Sequence, residues 1–274
     1  MPAINTNTAA NAAVRYLNVN SAQETSSLSK LSSGSRITSA SDDAAGLAIS
    51  TRISSDVTTL QQAATNASQA TAILQTADGG ASNISDILAR MKSLASESAS
   101  GTTTDSSRAY INSEFSQLTS EIDSIASGTR YSSQSLLDGS SVFASGVSVL
   151  VGSSGSDTIT ITLSSLTASS LSVTSLAVST QSGATSALTT LDTAIDTVSA
   201  ARASIGAQES RFNFSADSIS TQTQNLQNAN SAIKDVDIAA EQSKLSSAEV
   251  KTQAAVSALA AANQMPQYLL KLLG

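Results

Sequence analysis

The chain has 274 residues, and only 13% of them are charged: 14 Lys and Arg against 21 Asp and Glu, a net charge of −7. It holds no His, Cys or Trp, which excludes the usual zinc, haem and iron–sulfur ligand sets, disulfides, a thiol nucleophile and a Ser-His-Asp triad. An acidic balance with scattered cations argues against a nucleic-acid groove.

The opening Met1-Pro2-Ala3-Ile4-Asn5-Thr6-Asn7-Thr8 lacks the basic start and apolar core of a Sec signal. The apolar runs are a few residues long, short of the ~18–20 needed to span a membrane. No membrane contact is expected, and export, if it occurs, is expected by another route. Ala10, Val14, Leu17, Leu28 and Leu31 then fall at helical spacing. Asp42 and Asp43 could be imagined as a carboxylate pair. No metal-ligand spacing or phosphate loop accompanies them, so capping or solvated charge is the expectation.

A heptad rhythm follows. From Leu60 the steps of three and four run through Ala63, Ala67, Ala70, Leu74, Ala77, Ala81, Ile84, Leu88, Met91 and Ala95. Gly79-Gly80 interrupts this run at about 1 kcal/mol per glycine. Either it is a tolerated weak point, or it marks a flexible spot or a close approach between elements. Arg90, Lys92 and Arg108 read as a solvated face. A second helix carries Ile111, Phe115, Leu118, Ile122 and Ile125, with Thr104 or Asp105 as N-cap.

Between this helix and the next the period changes to two. Val147, Val149 and Val151, a turn-rich Gly152–Asp157, then Ile159, Ile161 and Leu163 predict a β-hairpin over 147–163. The Ser/Thr-rich stretch 164–186 reads as irregular strands or loop and is where an outward insertion would sit. A third long helix places Leu191, Val198, Ile205, Phe212, Ile219, Leu226 and Ile233 at strict sevens. The chain closes on Leu245, Ala248, Thr252, Ala255, Leu259 and Ala262 at helical spacing. Alanine seams this thin bury little apolar surface. The two ends are therefore expected to be loose in the monomer and to fold against other copies.

The fold expected is mainly α: a coiled-coil bundle of long helices with a small β-hairpin, and terminal helices forming a separate inner domain. Titratable groups are few and spread along helices, and Ser and Thr are too abundant for any one to stand out as a nucleophile with a base to activate it. The expectation is a structural protein without cofactor or catalytic site.

The stretch Leu31-Ser32-Ser33-Gly34-Ser35-Arg36-Ile37-Thr38-Ser39-Ala40-Ser41-Asp42-Asp43-Ala44-Ala45-Gly46-Leu47-Ala48-Ile49-Ser50 resembles the N-terminal signature of bacterial flagellin. Ile4-Asn5-Thr6-Asn7, Gln208-Glu209-Ser210-Arg211-Phe212 and Ala260-Ala261-Ala262-Asn263-Gln264-Met265-Pro266-Gln267 are similar too, in the same order at both ends. The resemblance implies an inner tube domain from residues 1–43 and 236–274. It implies a rod domain over 44–235, with the hairpin at about 147–163 and an outer remnant at about 164–186. It further implies a subunit of the extracellular flagellar filament that polymerises with itself. The assembly seams would be Val14, Leu17, Leu28, Leu31, Leu245 and Leu259, with a shape switch near Asp42, Asp43 and Gly46.

The implied partners are the flagellar type III export machinery, a secretion chaperone, and filament cap and junction proteins. A host Toll-like receptor is a further one, reading Arg90, Leu94 and Glu114. A hook–filament junction protein, or another secreted helical structural protein, is the alternative. The Asp-Asp-Ala-Ala-Gly signature and the uninterrupted rod helices favour flagellin.

Overall fold

The computed structural model describes residues 6–273. In chain order it contains α1 (Thr8–Ser33), α2 (Ala44–Ala99), α3 (Asp105–Gly128), β1 (Arg130–Tyr131), β2 (Gln134–Ser135), α4 (Val142–Ser145), β3 (Val147–Leu150), β4 (Thr158–Ile161), α5 (Gln181–Lys234) and α6 (Ile238–Leu273). Contacts divide the chain into a central unit, residues 56–224, and a terminal unit made of residues 1–55 and 225–274.

The central unit is built on the heptad seam. Every position of the run from Leu60 to Ala95 is buried. It meets Ile111, Phe115 and Ile122 of α3 and Leu191, Val198, Ile205 and Phe212 of α5 in one core. Ala184, Ala187, Ala194 and Ala201 fill the alternate turns of α5. Small side chains at these positions allow the helix backbones to approach closely. Thr104 starts α3, its hydroxyl accepting from the Ser107 amide at 3.3 Å.

Arg108 does not lie on a solvated face. It is buried, and its guanidinium donates to Ser98 O and Ser100 O at 2.9 Å each and to Asp105. It supplies donors to carbonyls at the end of α2 that the helix leaves open. Arg90 and Lys92 are half-exposed and paired, with Glu114 and Asp192 respectively.

Gly80 is a close approach. A Cβ there would stand 2.8 Å from Leu137 Cδ1 and closer still to the Thr129 hydroxyl. Gly79 has nothing near it. The chain passing over Gly80 forms the β1–β2 turn, with Ser132 and Ser133 in the left-handed region at φ 48 and 69. Val147 pairs with Ile161 and Leu150 with Thr158 in the second, antiparallel hairpin.

Gln208 of α5 fixes this hairpin. It is buried, accepts from the Thr162 amide at 2.9 Å and donates to the Thr162 carbonyl at 2.9 Å. One side chain thus replaces a paired strand residue. The segment after Thr162 has no regular strand. It is tied to the bundle by buried Leu166, Leu171, Val173 and Val178, and Asp123 and Asn112 accept from the Ala168 and Val178 amides at 2.8 Å. Residues 181–186 are already the start of α5.

In the terminal unit α1 packs on α6. Asn7 caps α1 by accepting from the Ala10 amide at 3.0 Å, and Gly34 ends it at φ 68.

Two substitutions separate close approach from mere flexibility. Gly80→Val should destabilise the central unit by about 1–3 kcal/mol, because Thr129 and Leu137 must move. Gly79→Ala should stabilise it by about 0.5–1 kcal/mol, because only helix propensity changes. Urea unfolding followed by circular dichroism measures both.

Candidate functional site

Among the described residues no three His, Cys, Asp or Glu gather as a metal site, and no helix is long and apolar enough to cross a membrane. What the fold offers is surfaces. The α6 stripe is Glu241, Leu245, Ala248, Thr252, Ala255, Leu259 and Ala262, all buried or half-buried. Its counterpart on α1 is Ala10, Ala13, Leu17, Asn20, Glu24, Ser27 and Leu31, again in steps of three and four. Leu17, Leu31, Leu245 and Leu259 therefore lie on the stripes where α1 and α6 meet, whereas Val14 and Leu28 are exposed on α1. The apolar spacing read from the sequence skips the middle of this α1 stripe, because Asn20, Glu24 and Ser27 are polar.

Two of those polar residues, Glu24 and Ser27, make specific bonds across to α6. The Ser27 hydroxyl, fully buried, donates to Glu241 Oε1 at 2.7 Å. Lys244 Nζ lies 2.9 Å from the other oxygen of Glu241, a residue only 4% exposed. Lys244, then Ser27, hold this carboxyl below the ordinary glutamate range, with a smaller pull from Lys30. Thr252 donates to Glu24 at 3.4 Å, and Asn7 donates to the Ala262 carbonyl at 2.8 Å. The three bonds between the helices, Ser27 to Glu241, Thr252 to Glu24 and Asn7 to Ala262, fix their register as apolar alanines alone could not.

The connections flanking these helices are clasped together. The Arg36 amide donates to Lys234 O at 2.6 Å, the Val236 amide to Gly34 O at 3.1 Å, and the Arg36 guanidinium to Ile233 O at 2.6 Å. Next along the chain, Asp42 accepts from the Thr38 amide and hydroxyl and the Ser39 amide. Its carboxyl is lowered by these bonds, Thr38 first. Asp43 caps α2 by accepting from the Gly46 amide at 2.9 Å. A Cβ on Gly46 would meet Ile37 Cδ1 at 2.8 Å and crowd the Asp43 carboxylate. Asp42, Asp43 and Gly46 thus form one compact turn.

Arg90 and Glu114 meet across α2 and α3 as an ion pair, the guanidinium donating from two nitrogens at 2.9 and 2.7 Å. Leu94, one turn on, is 2% exposed and belongs to the core. The surface these three residues offer is therefore the ion pair.

The arrangement defines a class: a protein of long packed helices whose terminal unit presents exposed apolar side chains. Comparison with known proteins agrees. Residues 4–142 match the bacterial flagellin N-terminal helical region, and residues 188–273 match the bacterial flagellin C-terminal helical region. The chain belongs to the bacterial flagellin family. A flagellin of Halalkalibacterium halodurans is 35% identical over 272 residues, covering 98% of this chain and 99% of that one. A flagellin of Listeria monocytogenes is 34% identical over 283 residues with the same coverage. Among solved structures, Bacillus cereus flagellin aligns with a TM-score of 0.52 at 29% identity, covering 61% of this chain and 94% of its own.

Glu241 should make the terminal unit acid-sensitive. Its folded pKa is depressed, so its contribution is present above the unfolded glutamate value of ~4.3 and is lost as pH falls through the folded value. Glu241→Gln should weaken the α1–α6 pairing at neutral pH and flatten the loss of helical signal on acidification. Circular dichroism against pH checks this.

Proposed function

We propose that this chain is the repeating subunit of the extracellular bacterial flagellar filament, a structural protein that polymerises with copies of itself. One observation carries the reading beyond family membership. Of the twelve large apolar side chains exposed among the described residues, nine belong to the terminal unit, including Tyr16, Val19, Leu28, Ile238, Val250 and Val256. A lone protein seldom leaves so much apolar surface in water, and neighbouring copies would cover it.

Within this reading, residues 1–43 and 236–274 line the inner tube and 44–235 form the surrounding rod. The thin alanine seams of α1 and α6 support ends that become fully ordered only against neighbours. The type III export apparatus, a secretion chaperone, and cap and junction proteins are the partners such a subunit requires. The Ser/Thr-rich stretch near 140–186 serves either solubility or sugar attachment, and an intact mass equal to the sequence mass would remove the sugar reading. The Arg90–Glu114 pair is the exposed feature a Toll-like receptor could read on the monomer.

Electron microscopy of the concentrated, purified protein tests the main reading. Long tubes are expected; short capped particles or persistent monomers would overturn it. Leu259→Asp should abolish the tubes while the central helices keep their signal, because it sets an unpaired charge in the α1–α6 seam.

The Asp42–Gly46 turn is proposed as a shape switch, since an element with two nearly equal packings is what a curved tube of identical rods needs. Gly46→Ala should alter filament curvature before it reduces filament mass, as read by dark-field microscopy alongside sedimentation.

A further inference from the structure

The central unit is strongly acidic. Residues 56–224 carry fourteen carboxylates against six cations, a net charge of −8, while the rest of the chain is close to neutral. Most of these cations are engaged. Arg90, Lys92, Arg108 and Arg202 pair with Glu114, Asp192, Asp105 and Asp78, and Arg130 donates to Ser127 O at 2.7 Å. Arg211, exposed on α5, is the one cation of this unit without a bonding partner among the described residues.

Phe214 stands three residues further along the same helix, so the two side chains are neighbours on its surface. It is 75% exposed in a chain that has four Phe and no Trp. The other strongly exposed aromatic of the central unit is Tyr110 on α3, at 76%. From Tyr110 a helical stripe runs through Glu114, Gln117 and Glu121, all exposed. Glu121 has no cation beside it among the described residues. One surface therefore offers an aromatic beside a free cation, and the other an aromatic followed by carboxylates.

We propose that Arg211 and Phe214 on α5 of one copy dock on the Tyr110–Glu121 stripe of α3 on a second copy. The inference rests on the filament reading and deepens it by naming an inter-subunit anchor. A single copy cannot make this contact through the core, because both surfaces already face solvent. Rods that each carry −8 repel when laid side by side, and the interface must set cation against carboxylate somewhere to offset that. Arginine beside an aromatic, closing over another aromatic, is the composition in which interface energy concentrates.

The test uses the full-length chain, with sedimentation to measure the critical concentration for polymerisation and circular dichroism to verify the fold. Arg211→Glu and Phe214→Ser change exposed side chains, so the helical signal should stay as in the wild type. Each should raise the critical concentration by about tenfold or more, the effect of an interface hot spot. Arg211→Glu combined with Glu121→Arg should return it toward the wild-type value. If both single variants polymerise like the wild type, the anchor is wrong and the filament reading stands. If they weaken assembly but Glu121→Arg restores nothing, the α3 stripe is wrong as the partner. If the wild-type chain itself forms no filament, the reading beneath the proposal fails.

Discussion

Everything in this protein depends on how closely α2 lets its neighbours approach. A helix of 56 residues is about 84 Å long by its rise per residue, and few tertiary contacts can cross from one end to the other. Order must therefore be supplied locally, turn by turn. Alanine at seam positions 63, 67, 70, 77, 81 and 95 lets the backbones approach, and Leu74, Ile84, Leu88 and Met91 fill the core between and beyond them. The same demand for close approach explains Gly80, where the β1–β2 turn rests on the helix and leaves no room for a side chain.

Such periodic packing is why most of the fold could be read from the sequence. Seven-residue repetition in α2 and α5 survives into the structure because each repeat buries the same stripe, at least as far as Ile219. Alternation of Val and Ile across a turn-rich gap marks the β3–β4 hairpin for the same reason. What could not be read depends on contacts distant in sequence. The β1–β2 turn uses Ser132 and Ser133 at positive φ, where glycine or asparagine would have signalled a tight turn. Arg108 looks like any helical surface arginine until its neighbours are known, as it caps carbonyls eight and ten residues earlier. Gln208 sat inside a recognised motif, but its role requires Thr162, 46 residues away.

The α1–α6 stripe shows where a search for apolar residues stops being informative. Small and polar side chains at heptad positions make poor glue, yet they specify register. Ser27 and Glu241 gain their bonds only when one helix is correctly set against the other. A slip by one turn would leave the buried Ser27 hydroxyl and one oxygen of Glu241 without their partner, while Lys244 on the same helix keeps the other oxygen paired, a loss of about 1–3 kcal/mol. The pairing is thus weak in burial and strict in alignment. For the proposed filament subunit both properties would serve assembly, since weak burial would let the ends separate beforehand and strict alignment would make every addition alike.

Charge is divided along the same line. The terminal unit, rich in exposed apolar groups, is nearly neutral, so like charge does not oppose its association. The central unit carries almost all of the negative charge and few exposed large apolar side chains. In the proposed filament, apolar burial at the terminal unit would drive cohesion, while the charge of the central unit would keep separate filaments from adhering. These two tendencies conflict only where rods touch laterally. There, in the proposed contact, −8 would face −8, and cohesion at the terminal unit would be opposed by repulsion at the central one. Screening over a Debye length of ~8 Å relieves the distant part of that repulsion but not the part at contact. A cation left free on an otherwise self-paired surface is what the contact requires, and Arg211 meets that description.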